Sequence, residues 1–115
     1  MITTLNEYQS EVLRTLHNPA MKDADPRLFI ACMTLGLTGE AGEVADLVKK
    51  EFWHLHPQDK AKMIKELGDV LWYVTALAEL HGETLESVAN ANAAKLRARY
   101  EKGFTPAESL TRKPE

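Results

Sequence analysis

Apolar residues recur at three- and four-residue intervals in four stretches of the chain, and none alternates with the two-residue period of a strand. The first stretch runs from about Thr4 to His17. It opens on Thr4-Leu5-Asn6-Glu7, which fits a capping box, and is broken by the two prolines of "HNPAMKDADP". The second takes Asp25 as its N-cap and Pro26 as its first helical residue. It carries Leu28, Phe29, Cys32, Leu35, Val44, Leu47, Val48 and Phe52 and reaches about His54. The third, from about Pro57, carries Met63, Leu67, Val70, Leu71, Val74, Leu77 and Leu80 and stops at Gly82. The fourth is capped by Thr84, carries Leu85, Val88, Leu96 and Tyr100, and stops at Gly103.

The pattern predicts an all-α, four-helix-bundle-like fold with short connections. Its spine is the second and third helices, each roughly 25 residues and about 37 Å long. The last residues, "FTPAESLTRKPE", have two prolines and no period and read as a tail. The expected organisation is one domain over residues 1–104 and a tail over 105–115, without internal repeats.

Composition narrows the class. With 115 residues, 44% hydrophobic and 27% charged, the chain reads as one globular, soluble domain. A formal charge of −3 argues against broad electrostatic binding to a nucleic acid polymer. No signal pattern opens the chain, and no run approaches 18 uninterrupted apolar residues, so the expected location is cytoplasmic and away from membranes. The single Cys32, in an apolar stretch, is expected to be a buried, reduced thiol.

Chemistry enters at "LGLTGEAGEV", where Gly36, Gly39 and Gly42 interrupt the second helix. The spacing is neither a dinucleotide fingerprint nor a P-loop, and no strand precedes it. Each glycine costs about 1 kcal/mol relative to alanine inside a helix, so a compensating role is expected. At about 100° per residue, Glu40 and Glu43 share a face with Gly36 and Gly39, continued by Leu47 and Lys50. Gly42 falls elsewhere and is expected to admit a neighbouring helix. In "KELGDVLWYV", Glu66 and Asp69 repeat the three-residue spacing and share a face with Lys62 and Tyr73. Two acidic pairs bordered by core residues repel one another unless a hard divalent cation, Mg²⁺ or Mn²⁺, sits among them. A lone E-x-x-E is usually solvated surface. A di-iron site wants two Glu-x-x-His motifs, and Glu51-Phe52-Trp53-His54 is the single match, at a helix end. His17, His54, His56 and His81 show no metal-ligand spacing.

"GLTGEAGEVADLVKK", "KELGDVLWYV" and "NAAKLRARYEKGF", in this order, resemble the MazG-like branch of the all-α nucleoside triphosphate pyrophosphohydrolases. The likeness extends from about Leu5 to Phe104. It implies hydrolysis of a nucleoside triphosphate substrate to the monophosphate and pyrophosphate, with Glu40, Glu43, Glu66 and Asp69 holding Mg²⁺ and one glutamate, or the metal cluster itself, activating water. By the same resemblance, Asn92 and Lys95 on the fourth helix contact sugar and phosphates. Arg99 extends their stripe, although cations near a helix C-terminus are favoured in any case. Lys50 on the carboxylate stripe can reach a phosphate or the base, Trp53 can stack on the base, and Tyr73 can offer its hydroxyl, with core contacts as the plain alternative for both aromatics.

The chain is a short, single-copy version of that family. Two long helices with broad apolar faces are hard to cover in 115 residues, so a homo-oligomer is expected, a tetramer built as a dimer of dimers ahead of a dimer. Two rival readings are a phosphoribosyl-ATP pyrophosphohydrolase and a non-catalytic helical module binding a structural ion.

Overall fold

The computed structural model describes residues 1–112, and among them the secondary structure is helical. Helix α1 spans Leu5–Leu16, α2 Pro26–Phe52, α3 Lys60–Leu80, α4 Leu85–Arg99 and a short α5 Pro106–Leu110, with a 3₁₀ turn at Pro19–Met21. Four main helices stand where the periodicity places them, so the all-α expectation holds. The stretch read as a tail contains α5, begun by Thr105, whose hydroxyl accepts from the Glu108 N–H at 3.1 Å. Five residues are too few for a period to be legible. Residues 113–115 of that expected tail lie outside the described residues.

Helix ends follow local chemistry. Thr4 Oγ1 accepts from Glu7 N at 3.1 Å, while the Glu7 carboxylate takes the Thr3 N–H at 2.8 Å, one residue earlier than a capping box requires. Asp25 accepts from Arg27 N at 2.9 Å, with Pro26 inside the first turn. The start of α3 moves from the expected Pro57 to Lys60, because Asp59 Oδ1 caps Lys62 N at 3.0 Å. The residues between α2 and α3 turn through Leu55 at φ +56°, a left-handed value that a branched side chain adopts only under constraint. Gly82, at φ +74°, ends α3 as expected.

The α2–α3 hairpin is antiparallel, and one contact sets its register. A Cβ on Gly36 would overlap the Tyr73 ring carbons Cε1 and Cζ and lie 2.8 Å from the hydroxyl oxygen. Gly36 is therefore small to admit Tyr73, whose ring stands edge-on to Trp72 at 5.0 Å. This contact supplies the compensating role expected of Gly36, and Tyr73 packs its ring against α2 there. Gly39 and Gly42 have nothing within 4 Å, so no helix of this chain closes on Gly42.

The core is small and lies around α1, α3 and α4: Val12, Thr75, Ala76, Ala78 and Leu85 are buried. Gln9 ties them together. Its Nε2 donates to Glu79 Oε2 at 2.7 Å and to the Glu83 carbonyl at 3.2 Å, and its Oε1 accepts the Leu85 N–H at 2.7 Å, an otherwise orphaned donor of the first turn of α4. Trp72 Nε1 donates to Thr15 Oγ1 at 2.8 Å, a second tie between α1 and α3.

Helix α2 buries none of its 27 residues fully. Leu35 and Phe52 are each 73% exposed, and Cys32, expected inside, is exposed because it faces away from α3. The radius of gyration is 17.3 Å, against roughly 13 Å for a compact chain of this length. Among the described residues, α2 is also the one helix long and apolar enough to cross a membrane, at a mean hydropathy of 1.3. Glu40 and Glu43 sit at its middle, where each charge would cost about 2.5–3.5 kcal/mol in a bilayer.

Gly36→Ala should lower stability, because overlap with Tyr73, worth about 1–3 kcal/mol, outweighs the gain of about 1 kcal/mol in helix propensity. Gly68→Ala, with nothing within 4 Å of the new carbon, should raise it by up to about 1 kcal/mol. Urea unfolding followed by circular dichroism checks both; two alanines of equal effect would mean that the Tyr73 contact does not set the register.

Candidate active site

One turn from Gly36 along α2 lies Glu40, and one turn back from Tyr73 along α3 lies Asp69. The Gly36–Tyr73 register thus brings them together and draws in Glu66. Glu40, Glu66 and Asp69 each present a carboxylate oxygen within 4.8 Å of the others, with the two glutamates half-buried and Asp69 exposed. Three acceptors from two helices match the hard oxygen donor set that Mg²⁺ or Mn²⁺ prefers. Glu43 stands one turn further along and outside this trio, exposed.

The electrostatics fit a cation among them. Loss of hydration raises the Glu40 pKa above its ordinary value near 4.5, and the negative charges of Asp69, Glu66 and Glu43 raise it further. Tyr8 on α1 feels the same field: burial first, then the Asp69 charge, lifts its phenol pKa. Tyr8 lies next to the structural Gln9, and apolar periodicity carries no signal for either side chain's partner.

Beyond Glu43 the stripe turns basic. Lys50 Nζ pairs with Asp46 Oδ2 at 2.8 Å, and Lys49 Nζ with Asp46 Oδ1 at 3.2 Å. The hydrogen bond that Lys50 donates to Asp46 chiefly, with the negative charges of Asp46 and Glu43, holds the Lys50 pKa up and favours its charged form. Lys50 also lines a cavity of about 740 Å³ between the end of α2 and the start of α3, with Leu47, Lys60, Lys62, Met63 and Ile64 on its walls. A second cavity, about 500 Å³ and mainly apolar, lies between Leu13, Leu16, Phe29, Ile30 and Leu80. Neither is lined by the three carboxylates.

The remaining expected residues lie at the end of α2 and on α4. Trp53 caps α2 and is 80% exposed. On α4, Asn92 is exposed and Lys95 and Arg99 are half-buried; that helix packs against α1 and α3. The structure gathers acidic residues of two helices, Glu40 with Glu66 and Asp69, into one place.

A carboxyl whose pKa is raised in the folded state holds its proton more tightly folded than unfolded. Metal-free protein should therefore lose stability as pH rises from about 4.5 through the elevated pKa of Glu40. Glu40→Gln should flatten that part of the profile and raise the melting temperature at neutral pH. Thermal melts in chelator from pH 4 to 8 measure this, and identical profiles would show that the carboxylates do not repel.

Known proteins share this arrangement of sequence. The chain is 35% identical over 100 residues to the "Gene 37 protein" of Mycobacterium phage L5, covering 84% of this chain and 88% of that protein. It is also 35% identical over 74 residues to the "Uncharacterized protein YvdC" of Bacillus subtilis (strain 168), covering 56% of this chain and 70% of the relative. No solved structure matches it significantly. The sequence profile of the MazG nucleotide pyrophosphohydrolase domain matches residues 30–104, which include both acidic pairs, most of α2 and all of α3. The chain belongs to the MazG nucleotide pyrophosphohydrolase family.

Proposed function

We propose that this protein is a Mg²⁺-dependent nucleoside triphosphate pyrophosphohydrolase, cleaving between the α and β phosphates to release a monophosphate and pyrophosphate. The observation that carries the reading is the convergence of Glu40, Glu66 and Asp69 from two helices within 4.8 Å, inside the segment that matches the family. Glu40, Glu66 and Asp69 hold the divalent cation, with Glu43 at the edge of the set. Bound there, the cation neutralises triphosphate charge and lowers the pKa of water.

The chain's own groups supply orientation and proton handling. Glu43, outside the trio and exposed, takes a proton from the attacking water in this reading. Lys50 and Lys62, on the cavity wall beyond it, receive phosphate oxygens, and Trp53 stacks on the base. Asn92 and Lys95 bind sugar and phosphate, with Arg99 extending their surface. Tyr73, held over Gly36, supports the Asp69 turn and can turn its hydroxyl towards substrate. The active unit is a single cytoplasmic domain over about residues 1–104, working as a homo-oligomer, a dimer of dimers ahead of a dimer. Its role is upkeep of the nucleotide pool.

A pyrophosphate-release assay across ribo- and deoxynucleoside triphosphates, with Mg²⁺ or Mn²⁺, tests this directly. Activity should appear with at least one nucleotide, vanish in chelator, and drop roughly 100-fold or more in Glu43→Gln. Inactivity with every nucleotide, or an unchanged variant, overturns the catalytic reading. Mg²⁺ should also raise the melting temperature of the native protein but not of a Glu40→Ala/Asp69→Ala variant; equal shifts would place the ion elsewhere.

A further inference from the structure

The Tyr73 ring fixes how α2 and α3 meet, and a neighbour fixes the ring. Trp72 stands edge-on to it, with centroids 5.0 Å apart and planes at 80°. In that arrangement the positive edge of one ring meets the negative face of the other. The indole is held in turn from α1. Its N–H, a donor only, lies 2.8 Å from Thr15 Oγ1. The Thr15 hydroxyl proton is directed back along its own helix, to the Val12 carbonyl at 3.0 Å and the Glu11 carbonyl at 3.3 Å. An oxygen lone pair is thereby committed to Trp72. Helix α1 is a firm base for this contact, because Val12 is 1% exposed and Gln9 is bonded to α3 and α4.

We infer that Thr15 and Trp72 are positioning residues for the acidic site. Helix α1 fixes the indole, the indole fixes the Tyr73 ring, and the ring seated over Gly36 fixes which carboxylates face one another. Glu40 lies one turn from Gly36 and Asp69 one turn from Tyr73, so slack in the ring is passed directly to the trio. The last step, the holding of a cation, rests on the functional reading above.

A tie that served stability alone would be poorly placed here. Thr15 is exposed and Trp72 half-buried, so water can replace the bond at little cost. Water cannot replace its direction. An indole bonded to solvent can take other rotamers, and Tyr73 then loses the neighbour that orients it. Metal sites are sensitive to such slack, and removing a group that orients the ligands typically weakens binding about 10–100-fold. Thr15 and Trp72 carry no charge, so an effect of their replacement on cation affinity reports geometry rather than altered electrostatics.

Near-ultraviolet circular dichroism in chelator and Mn²⁺ affinity, read as free ion by electron paramagnetic resonance, test the relay on the full chain. Thr15→Val keeps the shape of the side chain and removes the acceptor, whereas Thr15→Ser keeps the acceptor. Thr15→Val should diminish the aromatic dichroism and weaken Mn²⁺ binding roughly 10-fold, with a melting temperature only slightly lowered. Thr15→Ser should match the native chain in all three. Trp72→Phe should weaken Mn²⁺ binding as Thr15→Val does, and the double variant should lose no more than either alone. Native dichroism or native Mn²⁺ affinity in Thr15→Val overturns the inference. So do losses that add in the double variant, or a Thr15→Ser chain as weak as Thr15→Val. A native chain that binds no Mn²⁺ instead overturns the metal site of the functional reading, and the positioning role falls with it.

Discussion

The fit of the Tyr73 ring over Gly36 is the contact from which the rest of the molecule can be built. Two long helices joined by a short connection can slide past one another at little cost while their facing residues are all apolar. A ring seated where no Cβ exists removes that freedom, because a shift of one residue would drive the ring into a side chain. With this register Glu40 and Asp69, each one turn from the contact, must face one another. Glu66 closes the group. A glycine unfavourable to its own helix thus positions two others' chemistry at a distance of one turn.

What is positioned is costly. Three carboxylates share one small region, and the rise in the Glu40 pKa records loss of hydration first and mutual repulsion second. Lys49 and Lys50, further along α2, are drawn to Asp46. A helix hairpin held by apolar contacts and one ring-on-glycine fit can carry this repulsion because the rest of the bundle is anchored elsewhere. Gln9 links α1, α3 and the first turn of α4 by three hydrogen bonds at a buried point, away from the acids. Along α3, the tie to α1 and α4 sits near the C-terminal end at Glu79, roughly three turns from the acidic cluster of Glu66 and Asp69.

Helix α2 has two unlike faces. One lies on α3 and carries the acids. The other is apolar, exposed and repeated at 3.5 residues. In a chain whose buried core is confined to a few residues of α1, α3 and α4, the second face is the larger reserve of unburied apolar surface.

Helix number, order and most of the caps were legible in the sequence, because each depends on residues near in the chain: Thr4, Asp25 with Pro26, Thr84, Gly82. The acidic pairs were legible too, since a three-residue spacing places two carboxylates on one helix face whatever surrounds them. Boundaries moved where a single side chain competes for a cap, as Asp59 does for α3, and α5 is too short to have a period. Which acids from different helices meet was decided by tertiary structure, which groups Glu40 with Glu66 and Asp69 and leaves Glu43 at the edge. So was the meaning of each glycine: identical in sequence, Gly36 receives Tyr73 while Gly39 and Gly42 face outward. Cys32 was misplaced for the same reason. Hydropathy says that a residue is apolar, and only the choice of which face meets α3 says whether it is inside.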